Sequence, residues 1–90
     1  MFVATYIDLA DEDTAQAVRD LVVQYGFTRV FGDLYECTTM PEERLGRLKK
    51  DIDRVTNSYD RVRFYQYPID DTLVITDLKQ KKWRRQKIIF

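Results

Sequence analysis

A carboxylate, Asp8, closes the first apolar run of the chain, MFVATYID, and the acids Asp11, Glu12 and Asp13 follow it closely. The sequence holds no histidine and one cysteine, Cys37, which excludes a Cys/His zinc site, histidine-based catalysis and an internal disulfide. Any hydrolytic chemistry must therefore rest on carboxylates, tyrosines, basic groups or a hard metal ion. Asp8 stands where a first strand ends, and two roles fit it: bonding the amides of the following turn, or serving as a functional group at the rim of a sheet. Asp11 and Asp13 suit the capping of a helix, which leaves Asp8 as the candidate ligand.

The basic residues form a second group. Arg61, Arg63, Tyr65 and Tyr67 share one side of an alternating stretch. Such a pattern can track a phosphate backbone and stack on bases, and it equally suits a dimer interface, where arginine and tyrosine are enriched. Between Lys79 and Lys87 lie six of the fifteen basic residues and no acid. Residues 1–78 then carry nine basic against fifteen acidic side chains, a body of net charge −6. Lys79, Lys81, Lys82, Arg84 and Arg85 are candidate phosphate contacts with Arg61 and Arg63. Trp83 and the terminal Ile88-Ile89-Phe90 argue that this segment docks, since a solvated tail has no use for them. Cys37 has no basic residue beside it and reads as packing.

Elements that could position these groups follow from periodicity. Phe2 to Asp8 reads as a strand with both faces apolar enough to be covered. Asp11-Glu12-Asp13-Thr14 opens a helix with an apolar face of Ala17, Val18, Leu21, Val22 and Tyr25, and Gly26 closes it as a left-handed cap. Phe27 to Phe31 and Leu34 to Thr39 read as strands joined at Gly32-Asp33, by a tight turn or by a bulge in a continuous ribbon. A second helix starts at Pro41, with Leu45, Leu48, Ile52 and Val55 as its buried stripe. Asp60 to Tyr67 is a strand, Pro68-Ile69-Asp70-Asp71 breaks it, and Thr72 to Thr76 is a short further strand. Residues 1–78 form one α+β domain of βαββαβ, ferredoxin-like order, and residues 79–90 a basic C-terminal tail that ends in an additional strand.

Two helices would cover one sheet face and leave the other open, a natural dimer surface in a chain this short. The acidic turn at the N-terminus, with no basic segment before the apolar run, argues against a secretory signal. A cytoplasmic protein without a membrane span is expected.

Four segments carry a resemblance: Tyr6-Ile7-Asp8-Leu9-Ala10-Asp11, Tyr25-Gly26, Arg29 to Cys37 and Val62-Arg63-Phe64-Tyr65. In this order they resemble the small CRISPR-associated endoribonuclease family, which works with the CRISPR integrase in spacer acquisition. The resemblance spans Phe2 to about Tyr67. It implies a homodimer with facing sheets, in which a last strand, here within residues 72–90, pairs with the partner subunit's sheet. It also implies that Asp8 lies near its symmetry mate, where the pair would hold a magnesium ion for cleavage of RNA or DNA. Some members are nucleases and others are scaffolds that hold duplex DNA for the integrase. This chain departs from the family in having Asp13, Thr14 and Ala15 where basic residues are common, and Phe31 and Asp33 where a glutamine and a serine are common. A toxin-like small ribonuclease, or a non-catalytic ferredoxin-like regulatory domain, is the alternative expectation.

Overall fold

The computed structural model describes residues 1–68 and 71–90, so the Ile69-Asp70 part of the expected break lies outside the described residues. The elements are β1 (Phe2–Asp8), α1 (Glu12–Gln24), β2 (Thr28–Phe31), β3 (Leu34–Cys37), α2 (Glu42–Val55), β4 (Arg61–Tyr67), β5 (Thr72–Lys79) and β6 (Lys82–Ile89). All strands pair antiparallel in one sheet of order β2-β3-β1-β4-β5-β6. The run β2-β3-β1-β4 with its two helices is the ferredoxin-like arrangement expected, and β5 and β6 extend it.

Local chemistry explains the boundaries. The Asp11 carboxylate accepts from the Thr14 amide at 3.0 Å and caps α1, as the acidic cluster predicts. At the other end Gly26 takes φ 103°, and its amide and that of Phe27 bond the carbonyls of Val23 and Val22. That pair of bonds closes the helix and sends Phe27 back toward the core. Gly32 at φ 54° makes the join between β2 and β3 a tight turn, with a register shift between Arg29 and Phe31. Both forms considered for this ribbon are therefore present.

The core lies between the helices and one sheet face. Val3, Ile7, Val62, Phe64 and Leu78 from the sheet meet Val18, Val22, Leu45, Leu48 and Ile52 from the helices, all nearly inaccessible. Each such side chain contributes roughly 1.5–3 kcal/mol by leaving water. Two expected core positions are corrected. Ala15 is buried in place of Ala17, because the α1 stripe runs through Ala15, Val18 and Val22. Val55 is exposed at the last residue of α2.

The largest difference from the sequence reading is at the C-terminus. β5 runs on to Lys79 and turns back through Gln80 and Lys81, so that β6 pairs with β5 from Lys82 to Ile89. The expected division at residues 78 and 79 falls inside this hairpin. Gln80 and Lys81 both have positive φ, 53° and 61°, the mirror-image two-residue turn that glycine and asparagine favour. Lys81 is held there by α2: its ammonium donates to the carbonyl of Asp53 and, at 3.1 Å, to that of Thr56. A cation on the last carbonyls of a helix also answers its dipole. No helix among the described residues is long and apolar enough to cross a membrane.

Candidate functional site

The sheet face away from the helices arranges its side chains in cross-strand rows. Asp8, Arg61, Lys79 and Lys82 stand in successive register across β1, β4, β5 and β6. The next row is Tyr6, Arg63, Asp77 and Arg84. Farther along the strands the composition turns apolar, with Ala4, Tyr65 and Ile75 in one row and Phe2 beside Tyr67. One end of the open face is thus charged and the other apolar.

Tyr6, Asp8, Arg61, Arg63 and Tyr65 line a shallow cavity of about 490 Å³ at the charged end. Residues that the sequence singled out separately are brought together there. Asp8 is exposed, and its carboxylate has no hydrogen bond or ion pair among the described residues. Arg61, its register partner, turns instead to Asp77 at 3.1 Å, and Arg63 reaches the same carboxylate at 3.3 Å. Burial alone would raise the Asp77 carboxyl, but the two guanidiniums outweigh it and hold the group below the ordinary carboxylate range. Two of the expected phosphate contacts therefore carry an internal counterion that periodicity could not reveal.

The loop behind Asp8 is fixed by Asp60, only 1% exposed. Its two oxygens accept the amides of Ala10 at 3.0 Å and Asn57 at 2.8 Å. This ties the segment after β1 to the segment before β4 and so sets where β1 ends. A buried carboxylate bonded to backbone amides is a positioning device, and sequence reading had it only as the first residue of a strand.

The remaining basic candidates divide by the pleat of β6. Lys82 and Arg84 face the open side with Lys79, whereas Arg85 and Lys87 face the helix side with Trp83. Lys81 is committed to the end of α2. The open-face strip consists of Arg61, Arg63, Lys79, Lys82 and Arg84, with Asp77 inside it and Asp8 at its end. Among the described residues no group of three or more acidic or cysteine side chains gathers to hold a metal ion. Asp8 alone is a single carboxylate exposed in an open cleft, which fits one ligand of a magnesium site that waters and a further carboxylate would complete.

Comparison with known proteins adds one finding. The model of a family described as CRISPR associated protein Cas2 matches residues 1–86 of the 90. No curated protein and no solved structure gives a significant match.

Proposed function

The chain belongs to the CRISPR associated protein Cas2 family, a component of CRISPR adaptation, and from that premise we propose that it acts as a nucleic-acid-binding homodimer beside the CRISPR integrase. The open sheet face carries the reading: its apolar end suits contact with a second copy, and its charged end presents five cations to phosphate. Only a dimer whose sheets face each other along their whole length, with the charged ends opposed as well as the apolar ones, would bring each Asp8 toward its mate. The outer edge of β6, the last strand in the sheet order, offers unpaired backbone groups to a strand of the partner subunit or of the integrase.

A magnesium ion held between the two Asp8 carboxylates would polarise a scissile phosphodiester and lower the pKa of a bound water. Arg61 and Arg63 flank that position and would orient the phosphate. Asp60 keeps the strand end in place, and Tyr6 walls the cleft. The substrate is RNA or double-stranded DNA.

One observation favours a second reading, in which the dimer holds duplex DNA without cutting it. Asp11, Glu12 and Asp13 put negative charge on the first turn of α1, close in sequence to Asp8, and repel phosphate there. A single comparison separates the two. Purified protein with magnesium should cleave RNA or DNA, and Asp8→Asn should abolish cleavage with stability unchanged within about 0.5 kcal/mol and the dimer intact by light scattering. Wild-type protein that binds duplex DNA and never cleaves supports the scaffold; cleavage that survives Asp8→Asn removes Asp8 from the site.

A further inference from the structure

On the helix-covered side, away from Asp8, α2 and the β5–β6 hairpin bound a small cavity of about 210 Å³ lined by Glu42, Gly46, Lys49, Gln66, Thr76 and Arg85, with Leu45 behind them. We propose that this cavity is a phosphate-binding site, with Lys49 and Arg85 as its cationic walls.

Lys49 projects from α2 between aromatic rings, its ammonium 5.5 Å from the centre of Phe64 and 5.9 Å from that of Trp83. One of its protons goes to Gln66 Oε1 at 3.0 Å, and the Thr76 hydroxyl donates to the same oxygen at 3.3 Å. The amide oxygen is thereby saturated, and Lys49 lines the cavity with Gln66 as its only hydrogen-bond partner among the described residues. Arg85 stands opposite Thr76 in register and makes no hydrogen bond or ion pair among the described residues. Burial first, and then the like charge of Arg85, pull the Lys49 ammonium down to about 8, against the opposing charge of Glu42. Two cations thus converge on a cavity with no carboxylate bonded to either.

Gly46 supplies an independent sign. It is exposed in the second turn of α2, inside the helix where glycine weakens it, and nothing stands within 4 Å of the place a Cβ would occupy. Packing gives no reason for the missing side chain. The space it leaves belongs to the cavity, and an anion between Lys49 and Arg85 would use it. Phosphate is the fitting class, because it can accept from an ammonium and a guanidinium together. Arg85 thereby parts from Lys79, Lys82 and Arg84, the basic residues of the tail with which the sequence grouped it. The site requires neither the dimer nor Asp8.

Trp83 is the only tryptophan of the chain and lies beside Lys49, so its emission reports occupancy. Full-length protein is titrated with inorganic phosphate, a terminally phosphorylated dinucleotide and the same dinucleotide without the terminal phosphate, at constant ionic strength with chloride as control. At least one of the three should change the emission saturably, and which one does so identifies a free anion, a monoester or a backbone diester as the source. Lys49→Met and Gly46→Gln should each weaken the response by about tenfold or more. Gly46→Gln keeps both cations and improves helix propensity, and a melting temperature no lower than wild type separates a loss of binding from misfolding. Glu42→Gln should tighten binding, and Asp8→Asn should leave it unchanged. The proposal is overturned if no ligand gives a saturable change into the millimolar range, or if Gly46→Gln binds as wild type does.

Discussion

The two faces of the sheet treat polar groups differently. On the helix-covered face Thr5 bonds the Arg63 carbonyl, at the end of α2 Thr56 bonds the Ile52 carbonyl, and throughout the described residues no buried side-chain nitrogen or oxygen lacks a partner. On the open face Asp77 collects two guanidiniums while Asp8 has none. Satisfaction of that kind stabilises, and an unpaired exposed carboxylate in a cleft does not. The contrast suits the helix-covered face to folding and leaves the open face for the proposed binding, with Lys49 as a cation on the folding side that burial disfavours.

The largest effect should come from Asp60, although it lies beside the open-face site. Asp60→Ala leaves two amides without an acceptor, and denaturant unfolding should report a loss of about 2–4 kcal/mol. A loss below about 1 kcal/mol would break the distinction between a positioning aspartate and the free Asp8.

Lys49 sharpens the comparison from the other side. Its folded pKa, about 8, lies below the ordinary 10.5, so at neutral pH both folded and unfolded states are protonated and the burial penalty is fully present. As pH rises through about 8 toward 10.5 the folded state sheds the proton first and stability increases. Lys49→Met should gain roughly 1 kcal/mol at neutral pH and lose this alkaline rise, as read from melting curves across the range. A variant less stable than wild type at neutral pH would show that the ammonium supports the fold.

Asp77→Asn should have the smallest effect on stability, about 0.5 kcal/mol, because the pairs it breaks are partly solvated. With its folded pKa depressed, the Asp77 contribution is present above the ordinary carboxylate value of 3.8 and is lost as pH falls through the lower folded value. The two proteins should therefore converge in strong acid. Binding should move the other way: freeing Arg61 and Arg63 should tighten duplex DNA several-fold at low salt and steepen the salt dependence. Unchanged binding would mean that Asp77 does not restrain the strip.

Much of this was legible in the chain. The β1 pattern, the Asp11 cap, the left-handed Gly26 and the βαββαβ order each rest on contacts within a few residues, which is what periodicity and capping rules see. Asp8 and the Arg61 to Tyr67 face were legible as separate candidates; their meeting in one cavity depends on β1–β4 register. What escaped is non-local. The β5–β6 hairpin turns at Gln80-Lys81, which carries no turn signature, because Lys81 is anchored to a helix end 25 residues earlier in sequence. Asp77 and Asp60 look like ordinary loop or strand acids until their partners are seen. Nothing in the sequence singles out Lys49, because Trp83 and Arg85 reach it only through the hairpin.

The assignment of binding to the open face is tested most directly by NMR of the arginine side chains during titration with duplex DNA. Each arginine Nε–Hε signal reports its own face. The account predicts that Arg61, Arg63 and Arg84 shift together, saturably and with strong salt dependence, while Arg44, bonded to the end of α1, stays still. Shifts concentrated on Arg44 and Arg47 of α2, with Arg61, Arg63 and Arg84 unmoved, would place nucleic acid on the helices and contradict it.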